Sequence, residues 1–152
     1  MTDAAATILL CQAGTLICGL QLQGVVETMR RLPIEPLSGT PEFLLGVSVV
    51  RGSPTPVVDL ARLLGEQGET RASRFVLVNA GGRHVALSVA EVMGLRAFDV
   101  TSLSALPPLL EGARAEFVSA IGVLDAHLLL VLESARILPK SIWAELQLGV
   151  GA

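Results

Sequence analysis

The chain reads as an all-β protein with a few short helices. Three observations point there. Aliphatic runs rich in Val, Ile and Leu recur along its whole length. Short glycine turns such as Ala80-Gly81-Gly82 separate neighbouring runs, a strong hairpin signal. One hairpin-and-helix unit occurs twice, in the first half and again in the second. The strands are close to continuously apolar, so the sheets are expected to be buried on much of both faces or closed into barrels.

The elements follow in order. Thr7–Cys11 and Thr15–Leu22 read as the first two strands, about a turn at Gly14-Thr15. Val25–Leu32 continues extended and ends at Pro33, and residues 34–42 form a loop rich in Pro, Ser and Gly. Leu45–Gly65 is the central unit. Val47, Val49 and Val50 form one arm, and Gly52-Ser53-Pro54 turns the chain. Pro54 and Pro56 lack an N–H, so the second arm starts at a sheet edge before Val57-Val58 resumes the strand. Asp59 can cap a short helix whose Leu60, Leu63 and Leu64 share an apolar face, and Gly65 suits the left-handed position after it. Glu66–Ser73 is a polar connection.

Arg74–Asn79 and Arg83–Val89 flank the glycine turn, and Val92–Val100 is a further strand. Residues 102–114, with Pro107-Pro108, form a loop. Phe117–Leu124 and Leu128–Leu132 make a last hairpin, followed by a short helix over Ser134–Leu138. Residues 139–152 form a terminal helix and tail, with Ile142, Trp143 and Leu146 buried by a helix over Lys140–Leu148.

The repeat is specific. Phe43–Leu64 lies over Phe117–Leu138 without gaps, an offset of 74 residues (117 − 43). Phe43/Phe117, Val49/Val123, Val57/Val131, Ala61/Ala135, Arg62/Arg136 and Leu64/Leu138 are identical. A weaker echo links Leu20–Leu22 with Leu87–Val89, and Val25 with Val92. The chain is therefore expected to consist of two similar β units. Arg51 aligns with Asp125, so the hairpin does not require an arginine there, which favours a role for Arg51 beyond folding.

Composition narrows the function. Hydrophobic residues make up 51% of the 152 and charged ones 16%. Mean hydropathy is +0.64. The longest apolar stretch, Phe117–Leu132, is too short for a membrane span and is interrupted by Asp125 and His127. No Lys or Arg precedes Arg30, which argues against a secretory signal. The excess hydrophobicity points to a thoroughly buried core and to surfaces that meet protein partners. A net charge of −3 argues against nucleic acid as the main ligand.

Catalytic chemistry finds little support. There are two histidines, no tyrosine, and no nucleophile elbow or phosphate loop. His84 and His127 each sit beside a turn, as solvent-exposed turn histidines do. Helix capping accounts for Asp59 more simply than catalysis. Cys11 and Cys18 are placed to face each other across the first hairpin. They read as small buried apolar residues, with a cross-strand disulfide as the alternative. Two cysteines at this spacing are too few for a zinc site. No cofactor is expected.

One further pattern carries a family resemblance. Gly46-Val47, Val50-Arg51-Gly52 and Pro56-Val57-Val58-Asp59-Leu60, preceded by Leu44-Leu45 and by Val25-Val26-Glu27, stand in the order and at the spacing of the CheW family. That family comprises adaptors that couple chemoreceptors to their histidine kinase, and the similarity spans roughly residues 7 to 138. It implies a single domain over 1–152 made of two intertwined five-stranded SH3-like barrels. It implies a non-catalytic cytoplasmic scaffold in chemoreceptor arrays, not inserted in the membrane. Its partners would be the hairpin tip of the receptor coiled coil and the regulatory domain of a CheA-type kinase. In the family a groove between the barrels receives the receptor. Val25, Glu27, Arg51, Gly52, Val89 and Val92 are the residues here that would form it.

The chain departs from the family pattern at three polar positions, one of them the late leucine-aspartate, which reads Leu132-Glu133 here. Val49 stands where the family has asparagine, and Ala90 where it has aspartate. Both are candidate kinase-facing positions. Their loss favours a divergent adaptor of a gliding or twitching pathway, and one alternative is an adaptor that engages receptors but not the kinase. A β-barrel enzyme or small-ligand carrier is the alternative of another class, and it would need a polar concave site.

Overall fold

The computed structural model describes residues 5–67, 72–104 and 117–138, together with Trp143. The expected helix over residues 140–148 therefore lies outside the described residues apart from Trp143, and so does most of the loop around Pro107-Pro108. The strands are β1 (Ala5–Ala13), β2 (Leu16–Gln21), β3 (Val25–Arg30), β4 (Leu44–Val50), β5 (Ser53–Asp59), β6 (Arg74–Ala80), β7 (Arg83–Val89), β8 (Glu91–Asp99), β9 (Val118–Leu124) and β10 (His127–Leu132). One short helix, α1 (Leu60–Leu63), follows β5. The second strand ends a residue short of Leu22, because Leu22–Gly24 is a 3-10 turn between β2 and β3, which lie in different sheets.

The strands form two five-stranded sheets, ordered β8-β1-β2-β10-β9 and β3-β6-β7-β5-β4. The halves of the chain are exchanged between them. β1 and β2 pair with the last three strands, while β6 and β7 pair with β3, β4 and β5. The two sheets are otherwise the same construction. β4 and β5 pair Leu44 with Val58 and Val50 with Ser53, and β9 and β10 pair Val118 with Leu132 and Leu124 with His127. Each of these positions is displaced by 74 residues, and both hairpins carry an irregularity at the same place, after Leu44 and at Val118. β3 on β6 and β8 on β1 agree equally well at an offset of 67, with Val25 opposite Val78 and Val92 opposite Cys11.

One further bridge draws each sheet towards closure. The chain leaving β3 pairs Glu35 with Val47 of β4, and the chain leaving β8 pairs Ser104 with Ile121 of β9. Both are reciprocal, with N–H to O distances of 2.8–2.9 Å. Gly46 makes the first bridge possible. Its φ is +145°, and a Cβ there would lie 2.0 Å from the Glu35 carbonyl oxygen.

Closure explains the near-continuous apolar strands. Successive residues face opposite sides of a strand. Ile8 and Leu10 point into a cluster with Leu129 and Val131, within the first sheet. Leu9 and Cys11 between them join the largest core, which contains Leu20 and Leu132 from the first sheet and Val58, Val76 and Leu87 from the second. Val57, Phe75 and Leu77 fill the interior of the second sheet. The core between the sheets holds them together.

The two helical turns differ for a local reason. Asp59 is buried, its Oδ1 accepts from Arg62 N–H at 3.3 Å, and α1 follows. Glu133, one methylene longer at the equivalent place, makes no such cap, and Ser134–Arg136 is only a 3-10 turn. Cys11 and Cys18 do face each other across β1 and β2 as free thiols, both fully buried.

Candidate functional site

The exposed chemistry gathers where the β4–β5 hairpin passes the outer strand β3. The hairpin turns in two residues, Arg51 and Gly52, with φ of +51° and +81°. Positive φ at both central residues is what a type I′ turn requires, and it matches the twist of the strands. Glycine adopts it without strain, whereas arginine does so uncommonly. Arg51 reaches back to Glu27 on β3. Its Nε donates to Oε2 and its Nη2 to Oε1, both at 2.7 Å, in a two-pronged contact. The Arg51 side chain is 76% exposed and that of Glu27 is 26%. Hydrogen bonds from Arg51 hold the Glu27 carboxyl below the usual carboxylate range, and Glu27 raises the guanidinium in turn.

Beside this pair lies a cleft of about 550 Å³. Val26, Val50, Pro54 and Leu77 give it apolar walls, Arg83 and His84 reach it from β7, and Trp143 closes one side. The Arg83 guanidinium stands 5.0 Å from the centre of the Trp143 ring, within cation–π range. A second cleft, about 790 Å³, opens where the two sheets meet, lined by Gln12, Arg31, Ser73, Arg74, Ala90, Glu91 and Val92.

The site residues expected from sequence do not converge on one groove. Glu27 and Arg51 are joined, with Gly52 exposed at the turn. Val92 and Ala90 line the other cleft, at the junction of the sheets. Val89 is 1% exposed and belongs to the core, which removes it from any contact surface. Val25 is partly buried against the same core. Val49 stands 66% exposed on the outer strand β4.

Arg83, His84 and Trp143 went unrecognised as cleft residues, although the repeat carried a signal for two of them. At an offset of 67 their counterparts are Leu16 and Ile17, so the polar pair is a departure between otherwise like strands.

A profile of the CheW-like domain family matches residues 7–141. The chain belongs to the CheW-like domain family. Its similarity to Protein FrzA of Myxococcus xanthus is 39% identity over 119 residues, 76% of this chain and 71% of that one. It is also similar to Chemotaxis protein CheW of Klebsiella aerogenes, at 23% over 122 residues, 79% and 74% of the two chains. Among solved structures, the crystal structure of scaffolding protein TtCheW from Thermoanaerobacter tengcongensis superposes with a TM-score of 0.74 at 26% identity, covering 84% of this chain and 88% of that one.

CheW-like domains are chemotaxis scaffolds rather than enzymes, and as a family they interact with chemoreceptors and CheA. The two five-stranded sheets are those of a CheW-like domain. Among the described residues no helix is long and apolar enough to cross a membrane.

Proposed function

We propose that this CheW-like protein is a non-catalytic cytoplasmic adaptor of chemoreceptor arrays. It binds a receptor hairpin tip through a surface that includes Glu27 and Arg51, and it couples that receptor to the regulatory domain of a CheA-type kinase. One observation carries the reading. The fold builds the same hairpin twice, yet only one copy bears the Arg–Glu fork. The counterparts of Arg51 and Glu27 are Asp125 and Gly94, which cannot pair. The ion pair is therefore not needed to make the turn or the sheet. An exposed guanidinium fixed by two hydrogen bonds is oriented before a partner arrives, which lowers the ordering cost of binding. The exposed Val49 on β4 supplies a separate apolar contact for the kinase.

Calorimetric titration with a receptor cytoplasmic domain and, separately, with the kinase regulatory domain tests this at one salt concentration. Binding to both is expected. Arg51→Glu should abolish the receptor heat while leaving the fold intact by circular dichroism. Absence of receptor binding in the parent protein overturns the reading, and binding to receptor alone reduces it to an accessory adaptor.

A further inference from the structure

We infer that Cys11 and Cys18 are a redox pair, which closes into a cross-strand disulfide when the chain folds in the presence of a low-molecular-weight disulfide. They are the only cysteines in the chain, and β1 and β2 place them directly opposite each other. Both belong to the core between the sheets, so their side chains share one face of the hairpin. Ala13 and Leu16 close a two-residue turn and are therefore a hydrogen-bonded pair. Pairs alternate along an antiparallel ladder, so Cys11 and Cys18, two places further on, are hydrogen-bonded as well, with Cα atoms about 5.5 Å apart. Disulfide-bonded residues most often stand about 5.5–6 Å apart. The bond therefore needs a small approach of two side chains and no change of register.

The other sheet serves as an internal control. At the offset of 67 the same pair is Val78 and Val85, directly opposite each other across β6 and β7 and equally buried. Two valines satisfy the fold at this place. In β1 and β2 both members differ together, and the residue that replaces them can join the strands covalently.

The step is thiol–disulfide exchange. One cysteine thiolate attacks the small disulfide, forms a mixed disulfide and releases a small thiol. The second cysteine thiolate attacks the mixed disulfide, forms the Cys11–Cys18 bond and releases the other small thiol. The pair loses two electrons and two protons, and the small disulfide gains both as it becomes two thiols. Burial sets the timing. Both thiols are fully enclosed and held protonated, so exchange belongs to the open hairpin rather than to the native sheet. Folding then seals whichever state has formed. The consequence reaches beyond the hairpin. Next to Cys11, the Gln12 carbonyl accepts from the Ala90 N–H at 2.8 Å, where the chain crosses from β7 in one sheet to β8 in the other. A clipped hairpin opens less often, so the disulfide steadies this crossing.

The experiment refolds the full-length protein with oxidised glutathione or with a reductant. Oxidative refolding should give a monomer lighter by about 2 Da, without a glutathione adduct. Its melting temperature should be higher by about 5 °C. The Ala90 amide should exchange with solvent at least about tenfold more slowly. Protein folded in reductant and only then given oxidised glutathione should keep both thiols over the same period. The double variant Cys11→Val, Cys18→Val, which copies the pair of the other sheet, should melt at one temperature whichever buffer it is folded in. The mass of the parent protein decides the matter even where that variant fails to fold. Two free thiols after oxidative refolding, a glutathione adduct or a linked dimer in place of the internal bond, or equal Ala90 exchange in the two states overturns the inference. So does rapid oxidation of the folded, reduced protein.

Discussion

Arg51 and Asp125 occupy the same backbone position in the two sheets, the first central residue of a two-residue turn, with φ of +51° and +47°. Aspartate enters this left-handed region more readily than arginine. The residue that suits the turn less well is the one that makes the exposed ion pair.

Replacing Arg51 with asparagine should separate the two roles. Asparagine tolerates positive φ and removes the charge without adding a like charge beside Glu27. The melting temperature is expected to stay level or rise slightly. Receptor affinity, measured by calorimetry, should fall at least about tenfold. A variant that binds as well as the parent would show that Arg51 serves no interface.

Gly46→Ala tests the closure of the second sheet. A Cβ there would lie 2.0 Å from the Glu35 oxygen and 2.9 Å from Pro36 Cα, both backbone atoms that cannot rotate away. The expected loss in urea unfolding is about 3 kcal/mol, at the upper end for overpacking. Ala120 fills the equivalent place in the first sheet without positive φ, so Ala120→Gly should cost less, about 1 kcal/mol or below.

The cysteines give a pH dependence. Burial pushes the Cys11 thiol from 9.0 up to about 12, and burial together with the neighbouring Cys11 pushes Cys18 up as well. The folded state then retains protons that the unfolded chain releases. Stability from this source is full below about pH 9 and is lost as pH rises towards 12. An aromatic disulfide reagent at neutral pH should leave both thiols unmodified in the native protein and label two per chain in denaturant. Rapid labelling of the native protein would contradict their burial.

Strand exchange predicts how the halves behave. Residues 1–67 contain only two strands of the first sheet and three of the second. Expressed alone, this fragment and residues 72–152 should each lack a stable core. Mixed in equal amounts, they should recover the β-sheet circular dichroism of the intact chain. A stable native-like sheet in either fragment alone would contradict the exchanged pairing.

Much of this was legible locally. The glycine turns, the Asp59 cap and the matched hairpins follow from residues close together in sequence, where turn chemistry and short-range hydrogen bonds decide the outcome. The family motif singled out Glu27 and Arg51 as well. It could not show that Val89 is buried while Glu27 is not. In strands this apolar a valine suits either face, and only packing reveals which face meets solvent.

The amino-acid sequence by itself determined the elements, the two-fold repetition, the turn types and the odd placement of an arginine where its counterpart is an aspartate. Tertiary structure alone decided which strand lies beside which. An alternating strand names one buried face and so constrains its neighbours, whereas Ile8–Cys11 can be buried on both sides and accepts several. The same holds for the cleft. Arg83 and Trp143 meet across 60 residues of chain (143 − 83), and no local rule links them. They come together because two sheets of exchanged strands share one core, which brings the segment after β10 back over the turn between β6 and β7.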